Sequence, residues 1–154
     1  MDRTDKQLLN LLQINCKINN QDLAEKVSLS PSPCLRRVKQ LESDGYISRY
    51  VALLNPEKVG LQLTIIVSVG LVSHDRKMMA HFESKITQFP EVIQCDLIAG
   101  QAQDYMLKVI ATNLNEYHDF LIHKLTQING VKNVHSSFVL KRIVDHPGLP
   151  LDNL

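Results

Sequence analysis

The sequence predicts an α+β fold, in which a unit of three short helices precedes a unit where strand–helix–strand occurs twice. Two observations lead to this prediction. Helical apolar patterns with capping residues fill the first 45 positions, and strand-like and helix-like apolar patterns alternate from residue 63 to about 144. We place the boundaries at 1–54, 55–144 and 145–154, the last being a short irregular tail.

The charge of the chain is unevenly distributed. Residues 1–50 hold eight basic and six acidic residues, whereas residues 51–154 hold nine and ten. Within 26–50, five basic residues stand against two acidic ones, and such a local excess favours contact with nucleic acid, although it is small. The three cysteines form no C-x-x-C pair, which is typical of reduced thiols in a cytoplasmic protein.

The first two helices are predicted from their caps. Thr4 and Gln7 can form a capping box for the first helix, and Asn19 and Asp22 can cap the second. The tight link at 28–30 then leads into a third, basic helix. Two short helices and a turn before a basic helix predict a helix-turn-helix.

The third helix, within residues 30–45, has one apolar and one polar face. Ser30 can cap it, Pro31 suits the first helical position, and Gly45 suits the left-handed residue that ends a helix. After Gly45 the chain is predicted to be extended, as a small wing or a strand that joins the two units. The residues that we predict to contact DNA are Ser30, Ser32, Pro33, Arg36, Arg37, Lys39 and Gln40.

The polar face of this helix offers the groups that a helix needs in the major groove of double-stranded DNA. Arg36 and Gln40 can form paired hydrogen bonds with base edges, while Arg37 and Lys39 can neutralise phosphates. The same side chains would also suit a face that is merely solvated. The two preceding helices favour the DNA contact.

An internal repeat with a spacing of 39 residues defines the second unit. The helical stripe of Met78, Phe82, Ile86 and Phe89 returns as Tyr117, Leu121, Leu125 and Ile128. Strands are predicted at about 63–72, 91–99, 104–112 and 133–144. Strand–helix–strand occurring twice is the βαββαβ, or ferredoxin-like, arrangement.

The first of these strands has two apolar faces. Alternate residues from Leu63 to Leu71 form one face, and the other includes Ile66 and Val72. Helices on one side of the sheet would leave the second face in water unless a partner covers it. We therefore predict a homodimer through the sheet.

Short motifs along nearly the whole chain resemble the Lrp/AsnC (feast/famine) family of bacterial and archaeal transcription regulators. These motifs are Asp2-Arg3-Thr4-Asp5, Leu29-Ser30-Pro31-Ser32-Pro33-Cys34, Arg37-Val38, Leu41-Glu42, Gly45-Tyr46-Ile47 and Ala52-Leu53-Leu54-Asn55-Pro56. The segment 136–141, together with Leu149-Pro150-Leu151, is similar to one branch of the family. The resemblance implies a winged helix-turn-helix regulator that dimerises through its βαββαβ domain, assembles into octamers or related discs, and responds to an amino acid.

The resemblance also implies an effector site between βαββαβ domains, near a loop of pattern G-x-x-D-Y. The corresponding residues here are Gly100, Gln101, Ala102, Gln103, Asp104 and Tyr105, one residue more than the pattern has. The resemblance assigns Gly100 to close backbone approach and Asp104 to the ammonium group of the effector. From the residues alone, a simple tight turn is the alternative.

Other function classes find little support in the sequence. The six histidines show no metal-ligand spacing, and neither a nucleophile signature nor a glycine-rich phosphate loop is present, so an enzyme built on the second unit is disfavoured. The longest nearly apolar run, at 63–72, is too short to cross a bilayer. We expect no cofactor other than the effector. A nucleoid-associated protein that compacts DNA with little sequence preference is the alternative among DNA-binding proteins.

Overall fold

The computed structural model describes residues 1–100, 103–145 and 148–151. Its helices are α1 (Arg3–Ile14), α2 (Asn20–Lys26), α3 (Pro31–Ser43), α4 (Arg76–Ile86) and α5 (Leu114–His123). Its strands are β1 (Leu63–Leu71), β2 (Val92–Leu97), β3 (Tyr105–Ala111) and β4 (Val131–Phe138). The packing divides the chain into two compact units, Met1–Leu53 with Ile143–Leu154, and Leu54–Arg142.

The caps of the first three helices differ in part from those predicted. Asp2 and Asp5, rather than Thr4 and Gln7, form the capping box of α1, because the helix already begins at Arg3. Asn19 caps α2 by accepting the N–H of Asp22, as predicted. Ser30 occupies the N-cap position of α3, but its side chain makes no capping hydrogen bond. Pro33 at the third helical position has no N–H to donate, which removes one of the two usual capping donors.

The core of the first unit is an apolar cluster that joins its three helices. The buried members are Leu8, Leu9, Leu23, Ala24, Val27, Cys34, Leu41 and Leu151. The last of these lies in the segment that the sequence assigned to a separate tail, so the described end of the chain packs with the first unit. Residues 47–55 form no hydrogen-bonded strand, and the predicted wing is an irregular segment in this structure.

The second unit is a four-stranded antiparallel sheet in the order β2-β3-β1-β4. Alternate residues of β1 and β3 are buried together with residues of α4 and α5, which confirms the predicted inward face of β1. The last strand ends at Phe138, before the predicted position 144, because its partner β1 begins at Leu63. Val139 donates the last hydrogen bond at that end, to the carbonyl of Thr64.

Among the described residues, no helix is long and apolar enough to span a membrane.

Candidate DNA-binding face and effector loop

One exposed face of α3 carries most of the predicted DNA contacts. Because Cys34 and Leu41 are buried in the first-unit core, the opposite face of the helix turns to solvent. A shallow surface depression on this face is lined by Ser32, Leu35, Arg36, Lys39, Gln40 and Ser43. Leu35 is 44% exposed and was missed by the sequence prediction, although a helical wheel places it beside Lys39. An apolar side chain in this position can contact a thymine methyl group.

Gln40 is held in place without losing its capacity to read a base. Its Nε2 donates to Oδ1 of Asp44, one turn further along α3, over 2.7 Å. A primary amide has a second N–H and a carbonyl oxygen, which together match the adenine edge. The bond to Asp44 therefore orients the amide on the exposed face. Ser30 is also exposed, and Pro33 is half-buried at the start of the helix.

Arg37 lies in a different setting from the other cations of α3. Its Nη1 atom lies 2.8 Å from a carboxylate oxygen of Asp5 and 2.8 Å from one of Asp2. The hydrogen bonds to Asp5 and Asp2 raise the pKa of the guanidinium group. The prediction that Arg37 neutralises phosphates stays a prediction, but in this geometry its charge is already met by two carboxylates, that of Asp5 in α1 and that of the N-cap residue Asp2.

The effector loop predicted at 100–105 is described in part, since Gln101 and Ala102 lie outside the described residues. Gly100 has a φ of 90°, a conformation that side chains disfavour, and an added Cβ would meet open space. Gly100 is thus required for its backbone angle, and nothing described approaches it closely. The tyrosine that closes the motif, Tyr105, is buried in the core on the helix side of the sheet.

Tyr105 belongs to the core because alternate residues of β3 point to the helices. Its ring lies 4.6 Å from that of Phe82, centroid to centroid, and its hydroxyl donates to Glu83 over 2.8 Å. Burial, followed by the bond to Glu83, raises the pKa of the phenol. The predicted effector role of Tyr105 would therefore be to hold the end of the loop.

Both carboxylate oxygens of Asp104 already have partners within the second unit. Oδ2 accepts the backbone N–H of Leu71 over 2.7 Å, and Oδ1 lies 2.7 Å from Nε2 of His74. The side chain of His74 is 74% exposed, so it can leave Asp104 without disturbing a core. The sequence analysis did not connect His74 with this loop, and only the fold brings the two residues together.

Two amide oxygens near Asp104 lack a donor. Oε1 of Gln103 and Oδ1 of Asn133 are buried and have no hydrogen-bond partner among the described residues. Both converge on Gly70, where an added Cβ would lie 2.9 Å from the first and 2.1 Å from the second. Gly70 directly precedes Leu71, the residue whose N–H Asp104 accepts. Buried acceptors without a donor are costly, and they mark a place where a ligand or partner can supply N–H groups.

The outer face of the sheet, away from the helices, is partly apolar. In the ladder of β1 and β3, Ile66 lies opposite Lys108 and Ser68 opposite Met106. These side chains are half-buried rather than covered.

The described residues include no group of three or more His, Cys, Asp and Glu residues that could hold a metal ion.

Together, a helix-turn-helix that exposes a polar third helix and a separate four-stranded βαββαβ unit define a DNA-binding protein with an added ligand-binding or assembly unit. Comparison with known proteins agrees. The profile of the Lrp/AsnC ligand binding domain matches residues 64–149, and that of a winged helix-turn-helix DNA-binding domain matches residues 1–48. The chain belongs to the Lrp/AsnC family of DNA-binding transcription regulators.

Individual relatives match over nearly their whole length. The transcriptional activator DecR of Escherichia coli K12 is 36% identical over 152 residues, which cover 99% of both chains. The leucine-responsive regulatory protein of Haemophilus influenzae is 39% identical over 93% of this chain and 86% of its own. A Neisseria meningitidis transcriptional regulator, solved as its complex with L-Met, superposes with a TM-score of 0.95 at 39% identity, over 99% of this chain and 98% of its own.

Proposed function

We propose that α3 enters the major groove of an operator, with Arg36 and Gln40 on base edges and Lys39 on a phosphate. The observation that carries this proposal is the exposed polar face of α3, opposite its buried Cys34 and Leu41. Ser30 and Ser32, at the start of the helix, suit the DNA backbone, and Pro33 fixes the backbone that presents them. Arg37 acts on phosphate only where DNA competes with its two carboxylates.

We further propose that the second unit binds a free amino acid near Asp104. An ammonium group brings three N–H donors, and the two buried oxygens at Gly70 lack donors. The ammonium group would also replace His74 at Oδ1 of Asp104. The complex of the Neisseria meningitidis relative with L-Met supports an amino acid as the ligand class.

The assembly that would couple amino-acid binding to DNA binding is a homodimer formed through the outer face of the sheet, with octamers as a higher form. The half-buried Ile66 on that face supports this arrangement. Ile66→Asp would place an unpaired charge in the interface and should give monomers in light scattering. Ser84→Asp adds the same charge to the exposed surface of α4 and should leave the dimer intact. A monomeric wild-type chain at micromolar concentration would exclude the proposed dimer.

The test of the function begins with DNA selected by the wild-type protein from a random-sequence pool. A selected fragment should then compete at least about 1000-fold better than bulk DNA at one fixed salt concentration. Equal competition would instead support the nucleoid-associated alternative. A melting-temperature screen with each of the twenty amino acids would identify the effector, because a ligand that binds only the folded state raises the midpoint.

A further inference from the structure

The described end of the chain is bound to α1 by a side-chain amide. Gln13 accepts the N–H of Leu149 at Oε1 over 2.6 Å and donates from Nε2 to the carbonyl of the same residue over 3.2 Å. The amide thus pairs with both polar groups of one backbone residue, as a neighbouring strand would. Such a contact recognises extended chain and makes no use of the side chain of Leu149, which is 70% exposed.

Two residues further on, Leu151 supplies an apolar anchor. It is 9% exposed and belongs to the core cluster of the first unit, which also contains Cys34 and Leu41 from the buried face of α3. Pro150 lies between the clamped residue and the anchor, and it favours an extended backbone at Leu149, the residue before it. A polar clamp and an apolar pocket at fixed spacing are the parts of a site that binds a short extended peptide.

We propose that Gln13 and the pocket for Leu151 form a peptide-binding site on the helix-turn-helix unit, and that its occupation by residues 148–151 sets the affinity for DNA. The physical link is the shared core. When Leu151 leaves, the cluster beneath α3 loses a packed side chain, so α3 keeps its DNA-binding geometry for a smaller fraction of the time. The apparent affinity for DNA falls in proportion to the fraction of molecules that keep this geometry.

The same segment connects the second unit covalently to the docking site on the first unit. Strand β4 ends at Phe138, and the chain continues from it to the docked segment at 148–151. If a change at the end of β4 favours release of the segment, that change weakens DNA binding. Because the coupling is reciprocal, DNA binding must in turn oppose the change in β4. The proposal that the docked segment sets DNA affinity assumes only that the protein binds DNA. The coupling of the segment to β4 rests, in addition, on the proposed effector response.

The test compares two leucines of the same segment in the full-length protein. Leu151→Ala should weaken binding to a selected DNA fragment by about tenfold, whereas Leu149→Ala should leave it within about twofold, since only the backbone of Leu149 is used. Gln13→Ala should follow Leu151→Ala. Light scattering on each variant checks that assembly through the sheet is unchanged.

A chain that ends at residue 145 completes the test, with a synthetic peptide of residues 146–154 added in trans. We expect the truncated chain to bind DNA weakly and the peptide, but not its Leu151→Ala version, to restore affinity. Wild-type affinity of both the truncated chain and Leu151→Ala would overturn the proposal, as would equal losses for Leu149→Ala and Leu151→Ala. If Leu151→Ala lowers only the melting temperature, the segment stabilises the unit without setting DNA affinity, and the proposal is also overturned. Failure of the wild type to prefer selected DNA would count against sequence-specific DNA binding instead, and not against the docking of the segment.

Discussion

The guanidinium group of Arg37 on α3 lies 2.8 Å from the carboxylate of Asp5 on α1. A second carboxylate, that of Asp2, lies at the same distance from the same nitrogen. Asp2 and Asp5 also form the capping box of α1, so the same two carboxylates cap α1 and hold it against α3. Arg37 is therefore best understood as a residue that positions α3.

If Arg37 positions α3, its effect on stability should depend on its acidic partners. Arg37→Ala should lower the melting temperature of the helix-turn-helix unit, and Arg37→Lys should restore only part of it, because a lysine cannot match the geometry of the guanidinium group. In a double-mutant cycle with Asp5→Ala, thermal unfolding should show non-additive losses. Additive losses would mean that the contact contributes nothing to stability.

Arg36 faces solvent on the same helix, and we expect it to determine specificity. Arg36→Ala should cost about 1–3 kcal/mol in binding to selected DNA and relax the preference at one base pair. Lys39→Ala is the matched control, because loss of a phosphate contact should weaken all sequences alike and reduce the salt slope by about 1. An unchanged ratio of specific to random binding for Arg36→Ala would contradict the assignment.

The stability of the first unit should depend on pH through Asp2. The backbone N–H of Asp5 and the guanidinium group of Arg37 hold the pKa of Asp2 below its ordinary value of 3.8. Because folding lowers this pKa, the stabilisation is complete above pH 3.8 and is lost as the pH falls through the lower, folded value. Asp2→Asn keeps a capping oxygen but removes the charge, so its melting temperature should be below that of the wild type at neutral pH. The two melting curves should converge in acid, and a constant difference would contradict the explanation.

Two glycines of the second unit allow a matched test of packing. Gly60 and Gly130 both have a left-handed φ, 83° and 97°, but an added Cβ meets open space at the first and lies 1.9 Å from Sδ of Met78 at the second. Gly60→Ala should lower the free energy of unfolding, measured with denaturant, by roughly 1–2 kcal/mol, from the backbone angle alone. Gly130→Ala should lower it further, because Met78 must also move. Equal losses for the two variants would show that Met78 moves freely.

The effector proposal predicts different effects for substitutions at Asp104 and at His74, which lies 2.7 Å from it. Asp104→Asn should abolish the heat of amino-acid binding in calorimetry while the dimer persists, because the carboxylate that receives the ammonium group is lost. His74→Ala should keep or strengthen binding, since it removes a competitor for Oδ1. Loss of binding in His74→Ala would show that the histidine contacts the ligand instead.

The sequence was sufficient where one residue pattern decides a structure. The alternation in β1 and the two 39-residue-spaced stripes placed the sheet and its helices, because burial follows those periods directly. The polar face of α3 was predictable for the same reason. The partners of Arg37 and Asp104 were not, because Asp5 and His74 are about 30 residues away from them and only packing brings them together. The place of Leu151 was missed because a short segment with two prolines shows no periodic pattern.

The burial of Leu151 has a consequence for synthesis on the ribosome. The other buried members of its cluster lie between Leu8 and Leu41, so the whole second unit is synthesised after them and before Leu151. The first unit therefore acquires this member of its core only after the second unit has been made. A product that is cut before Leu151, through interrupted translation or proteolysis, would keep the second unit and lack this core side chain. Under the proposed docking, such a product would bind DNA weakly.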